Sequence, residues 1–501
     1  MDALFDRGAP PPCPAPFNLA AHVLARAEAL ASKTALAVVT LSGARRWSYG
    51  QLRGAVLGTA RGLRERGLKP GDRLLMRLGN TVDFPIAYLG SIAAGIVPVP
   101  TSAQLTTREV DAICAEISPA LIIAGQSIAL PGNPPCPVLG PKDLEAMWAL
   151  PPAEPEMGDP ERPAYIIYTS GTAGRPRAVV HAHRAIWARR MMWQGWYGLT
   201  ESDRMLHAGA FNWTYTLGTG LLDPWAIGAT ALIPGPDVRP AALPLLLARF
   251  DASIFAAAPG VYRQMLRHDF PPLPRLRHGL SAGEKLPQAT REAWRAATGR
   301  EIYEAYGMSE CSTFISARPG KPAPPGTLGF PQQGRRVAVI DGDAPARVGE
   351  PGVIAISRRD PGLMLGYLGA EKETRARFRG EWFLTGDIGV MDEDGAVTFL
   401  GRNDDMMNAG GFRVSPIEVE TAMRLHPAIT DCAAVEHEVR PDVRVIALYY
   451  TAEHPLPEEE LARHAAASLA RYKQPRLFRH LPALPRGSNG KILRKALRGG
   501  P

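Results

Sequence analysis

Residues 168–177 read Tyr-Thr-Ser-Gly-Thr-Ala-Gly-Arg-Pro-Arg, YTSGTAGRPR. Hydroxyls and glycines run into two arginines. Such a stretch can form a concave nest of N–H and O–H donors around an anion. The apolar run Tyr165 to Tyr168 precedes it, and RAVVHAH follows, so it reads as a loop between two strands. A Walker A loop spells G-x-x-x-x-G-K-[ST] and opens a helix. Here Gly171 and Gly174 stand too close, no lysine follows, and the next segment is strand-like. A P-loop NTPase is therefore disfavoured. Taken alone, the loop fits a polar hairpin turn equally well.

Outward from the loop, helical and strand patterns alternate. FNLAAHVLARAEAL, from Phe17, has helical spacing, and TALAVVTLSGARRWSYGQL holds a strand, a turn and a helix start at Ser48. Pro70-Gly71-Asp72 turns into a strand, and YLGSIAAGIVPVP, Tyr88 to Pro100, reads as a buried helix running into a strand. DASIFAAAPGVYRQML, from Asp251, repeats strand then helix. This alternation predicts an α/β protein with mostly parallel sheets. Pro-rich patches at 10–16, 151–163 and 271–274 read as connections. After Gly401 the stretch GRNDDMMNAGGF has the character of a linker or hinge. A marked helix start follows in VSPIEVE. Ser415 is the expected N-cap, Pro416 the first helical residue, Glu418 the other half of a capping box, and Val414 and Val419 the staple pair. The expected division is 1–402 for a large N-terminal domain of layered sheets and helices. A small mobile α/β domain occupies 403–501.

The bulk numbers agree. A chain of 501 residues exceeds one hydrophobic core. Hydrophobic residues make up 46% and charged residues 21%, as in an ordinary globular protein. No run of about 18 apolar residues exists to span a membrane. The N-terminal MDALFDRGAPPPCPAP lacks the pattern of a secretory signal. Cys13, Cys114, Cys136, Cys311 and Cys432 form no C-x-x-C pair, so a reducing cytoplasm is expected. The net charge of +8 suits anionic substrates. No basic cluster interleaves with aromatics, which argues against nucleic-acid binding.

Four further motifs follow the loop in order: EAYGMSE (Glu304–Glu310), WFLTGDIG (Trp382–Gly389), GRNDD (Gly401–Asp405) and NGKILRKAL (Asn489–Leu497). Together the five resemble the adenylate-forming superfamily of acyl-CoA synthetases, peptide-synthetase adenylation domains and firefly-type luciferases. The resemblance spans Asn18 to Lys495. Each motif is weak alone, and their order and spacing make the set specific. Members join a carboxylate to ATP, releasing pyrophosphate, and a thiol then displaces AMP. Because the carboxylate must approach a polyanion, the chemistry is largely positioning and charge neutralisation.

The resemblance implies roles for particular residues. Thr169, Ser170, Gly171, Thr172, Ala173, Gly174 and Arg177 would cradle the β- and γ-phosphates. Ser309 would touch the α-phosphate, and Glu310 would help hold Mg²⁺, a hard cation that prefers oxygen. Tyr306 would stack on adenine, with Gly283, Glu284, Glu304, Ala305 and Gly307 around the nucleotide. Asp387 would accept from the ribose hydroxyls, and Arg402 would add a cation near ribose and phosphate. Lys491 would reach the carboxylate and α-phosphate with a compact, mobile ammonium. Asp404 matches the hinge, and Gly410, Gly411 and Phe412 the tunnel for CoA. PRGSNGK, Pro485 to Lys491, also resembles a pattern read by bacterial lysine acetyltransferases. The loop departs from the family in one respect: Lys then Pro-Lys-Gly is usual where this chain has Arg175, Pro176, Arg177 and Ala178.

Asn212 stands where α-amino-acid enzymes place an aspartate for the substrate ammonium, so an α-amino acid is disfavoured. No carrier domain is expected after Pro501, and no tryptophan sits beside Tyr306-Gly307 to shorten the pocket to acetate's size. Phe211, Trp213, Tyr215, Ala258, Gly260, Ser281 and Met308 are the expected acyl-pocket residues. The chain looks most like benzoate-type and medium-chain acyl-CoA ligases. The implied partners are a small carboxylate, ATP and CoA, and a homodimer is compatible with the sequence. The rivals are a stand-alone acid-adenylating enzyme that loads a carrier protein, and a degenerate nucleotide-binding homologue. Retention of Glu310, Asp387, Arg402 and Lys491 argues against the latter. His181, His183 and Cys311 have no further ligand or base at readable spacing and are assigned to structure.

Overall fold

Short Val-, Ile-, Leu- and Ala-rich runs bounded by glycine and proline do form parallel strands. The computed structural model describes residues 1–498 apart from 170–176, 403–404, 410–411, 441–442, 470 and 488–489. For 408, 409, 412, 413, 440, 443 and 472 it describes the backbone alone. Packing divides the chain into two units. The larger comprises Asp6–Arg336 and Ser357–Glu381; the smaller comprises Met1–Phe5, Val337–Ile356 and Trp382–Pro501. The units are therefore not successive in sequence. The boundary expected between 402 and 403 adjoins residues outside those described.

The larger unit is built on a nine-stranded sheet. Its parallel centre orders the strands Ile302–Met308, His278–Ala282, Ile254–Ala257, Arg204–His207, Thr230–Pro234 and Thr34–Val39. Antiparallel strands close both edges. A second, parallel sheet orders Val97–Pro100, Arg73–Arg77, Leu121–Ala124 and Val138–Leu139. Parallel sheets need both faces covered, and the helices supply this cover. Ser48 and Gln51 form a capping box at the start of Tyr49–Glu65. Asp83–Ala93 is buried almost throughout and leads into Val97–Pro100, as the unbroken apolar run predicts. Gly90 lets these two helices touch: a Cβ there would sit 2.7 Å from Thr59. FNLAAHVLARAEAL is helical only over Leu19–Val23, then continues as turns. Leu24 and Ala27 are buried all the same, so the apolar spacing serves the core without a longer helix.

The smaller unit contains a sheet of Leu4–Phe5, Val337–Asp341, Pro351–Ser357, Trp382–Met391 and Val397–Arg402. It also contains a sheet of Asp431–Arg440, Val443–Thr451 and Leu477–His480. Helices Pro416–Met423 and Glu458–Ser468 pack on the latter around Val419, Met423, Leu448 and Leu461. Described residues of the stretch expected as a linker pair as strands Met407–Ala409 and Phe412–Val414. Ser415 caps its helix by accepting from Glu418 N, and Val414 and Val419 share one core. The capping box is only half made, because the Glu418 carboxylate turns to Lys473 instead. No helix among the described residues is long and apolar enough to cross a membrane.

Four histidines are sealed in the larger unit. Burial pushes His181 and His278 down to about 4, and His183 and His207 down to about 3. They are neutral when folded and take up protons when unfolded. Their contribution is complete above about pH 6.5 and lost as pH falls toward 4, with about 1.4 kcal/mol per pH unit for each histidine. Urea midpoints measured from pH 7 to 4.5 should fall steeply, and His207→Leu should flatten the slope.

Candidate active site

The quoted loop joins the antiparallel strands Pro163–Thr169 and Arg177–Ala182, whose last register pair is Thr169 with Arg177. Ser170, Gly171, Thr172, Ala173 and Gly174 lie outside the described residues. The hairpin is clamped at its base on two sides. Tyr168 donates its hydroxyl proton to Glu116 at 2.8 Å. Arg177 Nε donates to Glu373 at 2.9 Å.

The same hairpin carries the next motif. His181 lies 2.7 Å, through Nε2, from the carbonyl oxygen of Ser309. A carbonyl only accepts, so Nε2 bears the proton. The ring stacks on Tyr165, with centroids 4.9 Å apart and planes 18° from parallel. Gly366–Tyr367 adds a third strand, pairing with Val180 and Val179. From that strand Tyr367 donates its hydroxyl proton to Glu310 Oε1 at 2.7 Å, and Met364 N donates to the Glu310 carbonyl. Segments near 165–169, 177–181, 306–310 and 364–367 thereby form one hydrogen-bonded block. His181 carries a role that sequence reading missed, because its partner is a backbone atom 128 residues away. Tyr367 was missed as well, since nothing in GYLG distinguishes it locally.

Gly307 is tightly enclosed: a Cβ there would sit 2.1 Å from Ser312 O and 2.4 Å from Thr313 Cα. Tyr306 meets Phe314 edge to face at 5.4 Å. Glu304 and Ala305 are buried. Burial raises the Glu304 carboxyl, which accepts from Leu286 N at 3.0 Å and pairs with Arg291 at 3.2 Å. It thus braces the loop that bears Gly283 and Glu284. Gly283 has a φ of +93° and lies against Trp213, 3.6 Å from where a Cβ would be. Trp213, Ala258, Gly260 and Met308 are half-buried. Phe211 belongs to the core beside Phe84, and Tyr215 belongs to a separate core, where it donates to Leu280 O and stacks on Trp196. Ser281 is sealed, with no partner for its hydroxyl among the described residues.

In the smaller unit, neighbouring strands pair Asp387 with Arg402, and the side chains form an ion pair of 3.0 Å. Lys491 is exposed on a tight hairpin closed by Gly487 N to Lys491 O and Leu493 N to Pro485 O. Gly490 supplies the left-handed turn with a φ of +82°. Arg486 fastens the hairpin, bonding both Gly490 O and Asp431. Behind it, Arg494 grips the buried Glu420 with two contacts of 2.8 Å. Asp404, Gly410, Gly411 and the Phe412 side chain lie outside the described residues.

Residues 24–368 match the AMP-binding enzyme family, and 418–491 match the AMP-binding enzyme C-terminal domain. The chain belongs to the AMP-binding enzyme family. It is thereby one of the AMP-forming acyl-CoA ligases, enzymes that bind ATP. Within this family it is 32% identical to benzoate–CoA ligase of Thauera aromatica, covering 86% of each chain. It is 30% identical to the mitochondrial acyl-coenzyme A synthetase ACSM2A of Homo sapiens, over 86% of this chain and 80% of that protein. The crystal structure of a benzoate CoA ligase from Burkholderia xenovorans LB400 superposes with a TM-score of 0.85 at 28% identity, over 96% of this chain and all (100%) of that one. That of the anthranilate CoA ligase AuaEII with anthranoyl-AMP gives 0.86 at 26% identity over 97% of both.

Within the AMP-binding fold, then, Gly307 is a point of the YGMSE segment with no room for a side chain. Gly307→Ala must push apart the strands Ile302–Met308 and Ser312–Ser316. It is expected to cost at least about 1–3 kcal/mol and to abolish ATP binding. Thermal melting and ATP titration of the variant check both.

Proposed function

We propose that this family member is an ATP-dependent carboxylate–CoA ligase for a medium-chain, alicyclic or aromatic acid. The observation that carries the reading is the block made by His181, Ser309, Tyr367 and Glu310. It holds the phosphate hairpin and the YGMSE segment in one fixed relation. A reaction between a carboxylate and a triphosphate needs such fixed donors, since its barrier is mainly charge and orientation.

In this reading Thr169 to Arg177 hold the β- and γ-phosphates and Ser309 faces the α-phosphate. Tyr306 covers adenine, with Gly283 and Glu284 at its edge. Asp387 accepts from the ribose, and its pairing with Arg402 holds it in place. Lys491, presented outward by its anchored hairpin, neutralises both carboxylate and α-phosphate as the mixed anhydride forms and pyrophosphate leaves. The thiol of CoA then attacks the acyl carbonyl and AMP departs. Asp404 is the hinge between the two half-reactions, and Gly410, Gly411 and Phe412 line the CoA path. Glu310 would hold Mg²⁺, a cation that needs few protein ligands beside nucleotide phosphates. Glu310 fits, because Tyr367 occupies one carboxylate oxygen and the other meets no described residue. When bound, Mg²⁺ offsets phosphate charge.

The acid class rests on the two relatives named above and on a mainly neutral lining. Asn212 offers no charge to a substrate ammonium, and Trp213 beside Gly283 contributes the apolar wall. Pyrophosphate release should be measured with acids from acetate to decanoate, cyclohexanecarboxylate, benzoates and malonate, with and without CoA. Benzoates, cyclohexanecarboxylate or C6–C10 acids should be preferred. CoA-dependent AMP release in the absence of any carrier protein excludes the carrier-loading alternative. Lys491→Ala should lower pyrophosphate release by roughly 10²-fold or more while sparing transfer of a preformed acyl adenylate to CoA. Wild-type pyrophosphate release from that variant would overturn the assignment.

A further inference from the structure

Arg177 stands where a lysine is usual, and its surroundings give a reason. Its Nε lies 2.9 Å from Glu373 Oε1 and 2.8 Å from Oε2, so this one nitrogen takes both carboxylate oxygens. Its two terminal nitrogens make no hydrogen bond to any described residue. The other nearby carboxylate, Glu116, accepts from Tyr168. Glu373 is itself held firmly. Its helix, Glu371–Ala376, follows the strand Gly366–Tyr367 that pairs with the hairpin. Next to it, Thr374 Oγ1 accepts from Tyr367 N at 2.9 Å and donates to Ala370 O at 3.0 Å. One short segment thus supplies both the hydroxyl on Glu310 and the carboxylate on Arg177.

We propose that Glu373 is a positioning residue for the nucleotide: it binds Arg177 through Nε alone and keeps both terminal nitrogens for the phosphates. The inference rests on the phosphate-loop reading above. A guanidinium is a planar fork that can serve a carboxylate on one edge and an anion on another. A lysine ammonium is a single point of charge. Beside Glu373 it would be divided between carboxylate and phosphate. Two effects of Glu373 oppose each other. Its charge repels a polyanion, but that charge is already paired, partly solvated and screened. Its grip spares the cost of ordering a long flexible side chain when ATP arrives. The second effect prevails, so removing this acidic residue weakens binding of an acidic ligand.

Calorimetric titration of the full chain with MgATP and with pyrophosphate tests this without knowledge of the acid. Glu373→Ala should raise both dissociation constants about three- to tenfold. Arg177→Lys should weaken both at least as much. In the double variant Arg177→Lys/Glu373→Ala the freed ammonium should recover much of the loss. This reversal of sign is one that a merely structural pair would not produce. The pair is partly exposed, so the variants should melt close to the parent chain. Tighter binding by Glu373→Ala would overturn the proposal and make Glu373 an electrostatic competitor. Simple additivity of the two changes would overturn it as well. If Arg177→Ala binds MgATP and pyrophosphate like the parent chain, the phosphate-loop reading itself fails.

Discussion

A neutral imidazole with a single proton to give holds the site together. His181 spends that proton on the Ser309 carbonyl, stacks on Tyr165 and is sealed from water. A neutral hydrogen bond adds only about 1 kcal/mol net, but a buried acceptor left without its donor costs about 1–3 kcal/mol. The bond therefore acts more as a constraint than as a reserve of stability. The peptide of Ser309 has one satisfied position, and the strand Arg177–Ala182 that bears His181 defines it. Burial is what makes the ring dependable, since it keeps the imidazole uncharged across the physiological range.

Around this constraint, charge is handled in two ways. Deep charges are paired with each other. Arg189 meets Asp223 through two nitrogens and also Ser312, and Arg335 meets Asp360. Such pairs contribute little net stability but are costly to break singly. They fix the segments behind the site. Nearer solvent, cations are paired with carboxylates: Arg177 with Glu373, Arg402 with Asp387, Arg486 with Asp431. A polyanionic substrate requires cations already in place, because ordering them on arrival would consume binding energy.

Much of this was legible in the chain. The alternating apolar runs predict the parallel sheets, because a strand covered on both faces must be apolar throughout. The turn at Gly71, the cap at Ser48 and the start of the helix at Ser415 follow from local backbone chemistry. Local rules fail where a distant partner competes. Glu418 leaves its capping box for Lys473, and FNLAAHVLARAEAL gives up helix after Val23 while keeping its apolar residues inside. GRNDDMMNAGGF looks like a linker by composition, yet most of its described residues are paired strand.

The motifs, their order and the polar loop between two strands are properties of the sequence alone. They determine the family and the kind of ligand, since residue type limits which charges and donors are present. What joins the motifs is decided only in three dimensions. His181 finds Ser309, Tyr367 finds Glu310 and Glu373 finds Arg177 across 128, 57 and 196 residues. One partner is a backbone atom and the others are ordinary surface-type residues, so no pattern in the chain marks them. The aromatic residues around 211–215 show the same limit: their spacing is compatible with pocket or core, and packing sends Phe211 and Tyr215 inward while Trp213 stays beside Gly283. Sequence sets what each side chain can do, and tertiary packing sets what it is left free to do.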